Sequence, residues 1–221
     1  MMKNQLKSLA ALLPKRWQQG LKRRYFAWLI RRQRFGISEP EYAVLGDLMA
    51  AGDWALDVGA NIGSYTLKLA QLAGENGRVV AFEPVRETFE LLAANVALLR
   101  THNVTLINAA ASDEAAVLGM AIPKFDTGLD NPYMAHLSET SASLRVLCVR
   151  IDALELPHPI RLVKIDAEGH ELSVLKGMSG ILRRDKPTLI VEDNSDDVAV
   201  YLRDFGYSST KMAGSSNRVF R

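Results

Sequence analysis

The chain has 221 residues, of which 48% are hydrophobic and 24% are charged, and its formal net charge is +2. This size and composition suit one globular α/β domain with an extension. The single cysteine, Cys148, excludes an intrachain disulfide framework and a cysteine-based zinc cluster. Because a lone cysteine fits a reducing compartment and no apolar run approaches the roughly 18 residues that span a bilayer, we expect a cytoplasmic protein.

The positive charge is concentrated in residues 1–38, which contain no Asp or Glu. Ten of the 27 Lys and Arg residues lie there, so 17 remain against the 25 Asp and Glu residues of the rest, a balance of −8. This change of composition predicts a boundary near Gly36–Pro40. We expect a basic helical extension over residues 1–38 and the main domain over residues 39–221.

The extension contains two helical patterns. Apolar residues recur first at Leu6, Leu9, Leu12 and Leu13, before Pro14, and then at Trp17, Leu21, Tyr25 and Trp28. Aromatic anchors among basic residues are typical of a helix on an anionic membrane surface or another polyanion. The alternative is a solvated helix that packs on its own domain, which Arg24 and Arg32 favour because they interrupt the apolar stripe. The apolar runs are too short for a secretory signal, whereas the composition is compatible with an organellar transit peptide.

A glycine-rich turn follows the first predicted strand of the main domain. The stretch Trp54–Thr66 reads WALDVGANIGSYT, and its apolar run predicts a buried strand that ends at Asp57. Three residues at alternate positions follow, namely Gly59, Asn61 and Gly63, and then a helix is predicted to Ala73. Such turns occur without ligands, but this one also offers free N–H groups at a helix start and glycines that let a ligand approach the backbone. A dinucleotide fingerprint starting at Gly59 would need glycines at positions 61 and 64, where the chain has Asn61 and Ser64.

Glu83 ends the second predicted strand, Arg78–Glu83, before a helix over Arg86–Arg100. A carboxylate at this strand end can accept hydrogen bonds from vicinal ribose hydroxyls. The alternative to ribose binding is that Glu83 is simply an acid at the start of the following helix.

A third strand, Val104–Ala110, is predicted to lead to Ser112 and Asp113. In a doubly wound sheet that binds such a cofactor, this strand end lies beside the adenine. The alternative is that Ser112 and Asp113 belong to a solvated turn. The less regular residues 115–149, with a strand near Leu144–Ile151, are predicted to form a hairpin-bearing insertion that covers the site.

The stretch Leu162–Lys176, LVKIDAEGHELSVLK, places charged residues on a predicted strand. Alternation puts three of them on one side, namely Lys164, Asp166 and Glu168. Charges within a strand that is covered on both faces need partners or a catalytic role. Gly169 then turns the chain, and His170 begins a helix. A further strand, Thr188–Glu192, ends in another acid, and a helix and two short strands complete a doubly wound pattern.

Three motifs in this order, LDVGANIGSYTL, AFEP, and VKIDAEGHELSVLKGM with KPTLIVE, resemble the FkbM family of S-adenosylmethionine-dependent methyltransferases over about Trp54–Glu192. The resemblance implies a Rossmann-like α/β fold: a mostly parallel seven-stranded sheet with helices on both faces and a C-terminal antiparallel strand. It also implies O-methylation with S-adenosyl-L-methionine as the cofactor. The cofactor-binding residues that it implies are Asp57, Gly59, Asn61, Gly63, Glu83, Ser112 and Asp113.

Methyl transfer to a hydroxyl benefits from a base within hydrogen-bond reach of the acceptor. The resemblance places Asp166 toward the methionine end of the cofactor and the substrate. The candidate catalytic residues are Asp166, Lys164, Glu168, His170 and Glu192. His170 is either a neutral base, because the helix dipole opposes the imidazolium, or an exposed polar residue. Lys164 orients Asp166, holds a substrate oxygen or pairs with a neighbouring acid.

We therefore expect an O-methyltransferase that acts on a hydroxyl of a small molecule, sugar or glycolipid. The alternatives are a cofactor-binding scaffold that has lost catalysis and, less favoured because of the missing glycines, a nicotinamide-dependent oxidoreductase. Oxygen ligands suit Mg²⁺, but nothing in the spacing of the acids demands a metal. Residues 1–35 are candidates for peripheral contact with an anionic membrane, whereas the negative main domain disfavours nucleic acid.

Overall fold

The computed structural model describes residues 14–125, 128–192 and 195–221, so the predicted pattern at Leu6–Leu13 lies outside the described residues. The strands are β1 Trp54–Val58, β2 Arg78–Phe82, β3 Val104–Ile107, β4 Ala110–Ala111, β5 Ala116–Ala121, β6 His136–Leu137, β7 Leu144–Val149, β8 Ile160–Ile165, β9 Thr188–Glu192, β10 Ser209–Lys211 and β11 Asn217–Phe220. The helices are α1 Lys15–Arg31, α2 Pro40–Ala43, α3 Leu45–Leu48, α4 Ser64–Ala73, α5 Arg86–Val96, α6 Glu171–Gly177, α7 Ser179–Asp185 and α8 Asp197–Arg203. None of these described helices has the length and apolar character needed to cross a membrane.

A seven-stranded sheet in the order β10-β11-β9-β8-β1-β2-β3 forms the centre of the main domain. The strands from β3 to β9 in this order run parallel, whereas β11 is antiparallel to both β9 and β10. This arrangement confirms the predicted Rossmann-like fold. The strand order reverses between β1 and β8, and in open α/β sheets ligands bind at the carboxyl ends of the strands beside such a reversal.

Helices cover both faces of this sheet. Ala55 of β1 packs in a cluster with Leu45 of α3 and Leu69 of α4, whereas its neighbour Leu56 packs with Leu175 of α6 on the other face. All five side chains are fully buried. Because successive residues of a strand point to opposite faces, a strand that is covered on both faces is apolar at every position. This is why the central strands could be recognised as continuous apolar runs.

The predicted insertion contains a second, four-stranded sheet in the order β4-β7-β5-β6. β5 pairs antiparallel with β6 and β7, and β4 pairs parallel with β7. Its inner face has a small core of its own, in which Met120, Val146 and Cys148 are buried. The chain leaves the main sheet after β3, forms the second sheet and returns to the main sheet at β8.

Three element boundaries differ from the sequence prediction by three or more residues. The pattern over Glu41–Ala51 predicts one short helix, which the structure divides at Val44 into α2 and α3. The helix expected to reach Arg100 ends at Val96. The third strand ends at Ile107 instead of Ala110. Asn108 donates hydrogen bonds from its side chain to the backbone carbonyl groups of Glu83 and Pro84, so the chain leaves the main sheet there and β4 joins the second sheet.

Candidate active site

The carboxyl ends of β1, β2 and β8 open into a cleft beside the second sheet. The cleft encloses about 590 Å³ of empty space, with open solvent at its mouth included. The insertion contributes Met120, Tyr133 and Leu137 to the lining, so the second sheet forms one wall of the cleft.

The glycines of the turn after β1 are required by the packing of the chain itself. Gly59 has a φ of +75°, and a Cβ atom there would lie 1.8 Å from the carbonyl oxygen of Asp166. Gly63 has a φ of +95°, and a Cβ atom there would lie 2.7 Å from Cδ1 of Leu92. The sequence predicted glycines for close approach of a ligand. The structure shows that these glycines also let β1 approach the end of β8 and let α4 approach α5, and their role in the approach of a ligand stays a prediction.

Glu83 joins the ends of β1 and β2 through its carboxylate. One oxygen accepts a hydrogen bond from the backbone N–H of Asn61 at 2.9 Å, and the other accepts one from the backbone N–H of Val85 at 2.9 Å. Burial raises the pKa of Glu83 to about 7, although both hydrogen bonds lower it. Glu83 thus makes the helix-start contact that was the alternative to ribose binding, and it also lines the cleft.

Asn61 presents a polar atom that has no partner among the described residues. Its Oδ1 is buried and accepts no hydrogen bond from the part of the chain that the structure describes. Asn61 lines the cleft next to Glu83. A buried acceptor without a donor is costly, so a ligand that donates a hydrogen bond here would be favoured.

Asp57, at the end of β1, holds this strand to α4. It is 2% exposed, and its Oδ2 accepts a hydrogen bond from the hydroxyl of Thr66 at 2.5 Å. Burial raises the pKa of Asp57 to about 6, whereas the hydrogen bond from Thr66 and the charge of Lys164 lower it. Thr66 was not predicted as a site residue, because nothing in its local pattern distinguishes it from other helix positions.

Asp166 is a partly exposed carboxylate in the wall of this cleft. It follows β8 directly, and its backbone N–H donates to the carbonyl of Val58 at 3.0 Å. Its side chain is 37% exposed and lines the cleft. Burial raises the pKa of Asp166 to about 7, the charges of Glu192 and Glu168 raise it further, and Lys164 lowers it. A carboxylate with a pKa near neutrality can accept a proton at physiological pH, and a substantial fraction of it is ionised beforehand.

Lys164 is a buried cation next to Asp166. Its Nζ donates to Oδ1 of Asn217 at 2.9 Å and to the carbonyl of Ile165 at 3.3 Å. The same atom lies 3.9 Å from Oδ2 of Asp166 and 5.3 Å from the centre of the Tyr65 ring. Of the three roles considered for Lys164, these contacts favour pairing with a neighbouring acid.

Asn217 connects Lys164 to a second buried acid, Glu41 of α2. The Nδ2 group of Asn217 donates to Oε1 of Glu41 and, at 3.1 Å, to Oε2 of Glu39. The hydroxyl of Ser215 also donates to Oε1 of Glu41, at 2.7 Å, and Glu41 is fully buried. The sequence analysis did not predict this network, since its partners lie 174 to 178 positions apart.

The loop between β8 and α6 is fixed by Glu171, which the sequence analysis also missed as a site residue. Its Oε1 accepts hydrogen bonds from the backbone N–H groups of Ala167 at 3.1 Å and Gly169 at 3.0 Å. Glu168 lies between them with a φ of +49° and lines the cleft. Burial raises the pKa of Glu168, and neighbouring acids raise it further.

His170 lines the cleft from the position before α6. Its Nε2 lies 2.9 Å from the hydroxyl oxygen of Ser112, which is itself 3.2 Å from Oδ1 of Asp113. Burial lowers the pKa of His170, although nearby carboxylates oppose this effect. Burial therefore favours the neutral form of the ring.

The twelve predicted site residues fall into two groups. Those that line the cleft are Gly59, Asn61, Glu83, Asp166, Glu168 and His170. Those that support or adjoin this lining are Asp57, Gly63, Ser112, Asp113, Lys164 and Glu192. Ser112 is buried against His170 and Asp113 is exposed, so the expected contact of these two residues with an adenine stays a prediction. Within the described ranges, no three His, Cys, Asp or Glu side chains cluster so as to hold a metal ion.

The order of the sheet, the glycine turn after β1 and the acids at the ends of β1, β2 and β8 define a Rossmann-like methyltransferase. The family model described as the methyltransferase FkbM domain matches residues 57–209. The chain therefore belongs to the FkbM methyltransferase family, and its cofactor is S-adenosylmethionine, as the sequence predicted. This assignment favours the methyltransferase over the nicotinamide-dependent oxidoreductase.

A characterised relative is similar over part of the chain. The hexuronic acid methyltransferase AglP of Haloferax volcanii is 32% identical over 131 residues, which are 58% of this chain and 50% of AglP. The chain thus spans about half the length of this relative.

Two solved structures share the fold. The methyltransferase FkbM from Methylobacillus flagellatus superposes with a TM-score of 0.58 at 19% identity, over 82% of this chain and 48% of that one. A protein from Streptococcus mutans that was solved with SAH superposes with a TM-score of 0.52 at 13% identity, over 83% of this chain and 97% of that one. At these identities the likeness concerns the fold.

Proposed function

We propose that this methyltransferase acts on oxygen and transfers the methyl group to a hydroxyl of a sugar, a glycolipid or a related small molecule. The observation that carries the proposal is the position of Asp166, a partly exposed carboxylate with a pKa of about 7 in the wall of the cleft. The similarity to AglP, which is a hexuronic acid methyltransferase, supports a sugar as the acceptor.

The residues of the cleft fit the cofactor. The unpartnered Oδ1 of Asn61 and the carboxylate of Glu83 are hydrogen-bond acceptors side by side in the lining, and ribose hydroxyls are donors. The carboxylates of Glu83 and Asp166 give the cleft a negative potential that favours a cationic ligand. Glu83 and Asn61 would therefore hold the ribose, and Asp57 and Gly63 would keep the turn in place.

S-adenosylmethionine supplies, when bound, an activated methyl group on a sulfonium, which passes to a nucleophilic oxygen and leaves a neutral thioether. Asp166 takes the proton of the acceptor hydroxyl, so that the oxygen is not left positively charged. Lys164 keeps a share of Asp166 ionised, because a cation 3.9 Å away lowers the pKa of the carboxyl group. Glu168 and His170 line the same cleft and position the acceptor. Glu192 shares a hydrogen bond with Asp166.

A screen of hydroxyl acceptors with labelled S-adenosylmethionine tests this function. Sugars, uronic acids and glycolipids should take up label at oxygen. Asp166→Asn keeps the shape of the side chain but removes its basicity, and it should reduce turnover by about 10²- to 10⁴-fold with little change in affinity for S-adenosylhomocysteine. Glu83→Ala should show the reverse pattern, with most of the loss in cofactor affinity.

Two results would decide against the proposal. Label on nitrogen or carbon with no oxygen product would show that the acceptor class is wrong. Tight binding of the cofactor without transfer to any acceptor would favour the scaffold that has lost catalysis. If Asp166→Asn turned over normally with the identified acceptor, Asp166 would be structural and His170 would be the next candidate for the base.

A further inference from the structure

The basic helix α1 packs on the main domain with one side and exposes aromatic residues on another. Half-buried residues form the packing side, namely Gln18, Lys22, Phe26, Leu29 and Ile30. Phe26 lies edge-on to Phe35, with 5.8 Å between the ring centres. Arg23 makes an ion pair with Glu90 of α5 at 3.3 Å. Helix α1 therefore has a defined position on α5.

An exposed side next to the packing side carries what we call the aromatic stripe, Trp17, Leu21, Tyr25 and Trp28. These side chains are 58%, 50%, 57% and 47% exposed, respectively. Their spacing of four, four and three residues places them along one line of the helix surface. Four large apolar side chains in a row on the outside of a protein indicate a surface that meets a partner.

The charges around the stripe identify that partner. Exposed arginines flank or interrupt it, namely Arg16, Arg24, Arg31 and Arg32. Helix α1 contains no Asp or Glu. A helix with arginines and no acids suits an anionic partner, and at a bilayer the arginines extend to lipid headgroups while the rings enter the interface. Packing on α5 uses other residues, so the two roles considered for this helix do not compete.

We propose that α1 is a peripheral docking surface for an anionic lipid bilayer, through the aromatic stripe and its arginines. Docking also orients the enzyme. Nζ of Lys22 lies 5.7 Å from the centre of the Tyr133 ring, and Tyr133 lines the cleft. A bilayer on the outer side of α1 would therefore lie near one wall of the cleft. This inference concerns binding and does not depend on the acceptor of the methyl group.

Co-sedimentation of the full chain with vesicles tests the proposal. Vesicles of phosphatidylcholine with phosphatidylserine should retain the protein, and vesicles of phosphatidylcholine alone should not. Binding should fall steeply toward about 1 M NaCl, where the Debye length is about 3 Å. Tryptophan emission should shift to shorter wavelength on binding, because Trp17 and Trp28 enter the interface.

Matched variants distinguish binding through the α1 surface from an effect of the net charge of the protein. Arg24→Glu with Arg31→Glu should reduce binding at least about 30-fold, since each basic residue near the surface contributes about five-fold. The control, Arg203→Glu with Lys211→Glu, makes the same change of charge on α8 and β10, at the other edge of the sheet, and should retain most binding. Trp17→Ala with Trp28→Ala should also lose binding while keeping the melting temperature and the affinity for S-adenosylhomocysteine.

Several outcomes would overturn the proposal. Absence of binding to anionic vesicles would do so, and so would binding that both charge variants lose equally. A concentration-dependent dimer that the tryptophan variant disrupts, without vesicle binding, would assign the stripe to a second copy of the chain. Retention by single-stranded nucleic acid with no retention by vesicles would assign it to another polyanion.

Discussion

Asp166 illustrates how a single residue acquires reactivity from its surroundings. Its pKa of about 7, against an ordinary value of 3.8, has burial as its first cause and the neighbouring acids as a further one. Because the folded protein holds this proton more tightly than the unfolded chain, the associated stability is fully present below about pH 4 and is lost as the pH rises through about 7. The group that makes a base available therefore destabilises the free enzyme near neutrality.

The first prediction at this scale concerns the pH dependence of stability. The melting temperature of the wild type should fall as the pH is raised from about 5 to about 8, and Asp166→Asn should fall less, because it cannot lose this proton. Thermal melts of both proteins across this range make the comparison. Parallel curves would show that the carboxyl group does not titrate in this window.

Lys164→Met offers a second test at a position that acts through its neighbours. Methionine fills the buried space but removes the cation that lowers the pKa of both Asp57 and Asp166. The rise of kcat with pH should therefore move to higher pH. Removal of one partner of a buried pair also costs about 3–5 kcal/mol of stability. A lower melting temperature with an unchanged pH profile would leave Lys164 with a structural role alone.

At the scale of secondary-structure elements, the glycine turn joins β1 to β8. A Cβ atom at Gly59 would lie on the carbonyl oxygen of Asp166, so the cofactor turn and the proposed base share one contact. Gly59→Ala should reduce cofactor affinity and turnover together and lower the melting temperature by several degrees. Gly52→Ala is the control, because Gly52 has a similarly positive φ of +95° but nothing within 4 Å of its Cβ position. Equal effects of the two substitutions would point to backbone strain instead of contact.

The elements that the sequence predicted well are those whose burial is uniform. β1, β2 and β9 are apolar on both faces, and a change of chain direction follows each, so their bounds were predicted to within one residue. The division of the helix at Val44 and the end of β3 at Ile107 were missed. The second depends on a side-chain hydrogen bond from Asn108 to the carbonyl of Glu83, which no periodicity indicates.

The candidate site was likewise predicted only where a sequence pattern indicates it. Residues at strand ends were predicted because the topology brings those ends together. Glu41 and Asn217 could not be predicted, since an acid on a short helix and an amide near the C-terminus ordinarily lie in solvent. Their burial follows from pairing across 176 positions of the chain. Tyr133 was also missed, because its part of the insertion shows no regular pattern.

The network around Asn217 is a feature of the whole molecule, since it connects α2, β8 and β11. Asn217→Ala should leave both Glu41 and Lys164 with fewer partners, at about 1–3 kcal/mol for each group left unsatisfied. Denaturant unfolding should show this loss, and activity should fall because Lys164 is no longer fixed. Thr210→Ala on the exposed neighbouring strand β10 is the control and should have little effect. A stability loss as small as that of the control would mean that water replaces the amide.

The same network has a consequence for the order in which the enzyme matures during synthesis. β11 pairs with both β9 and β10, so the edge of the sheet beside β9 stays unpaired until residues 217–220 leave the ribosome. Until then Lys164 and Glu41 have no amide to share, and neither group is readily buried alone. A nascent chain that stalls before Asn217 is therefore expected to keep its central sheet open and accessible to proteases. Methyl transfer would become possible only when the last strand is in place.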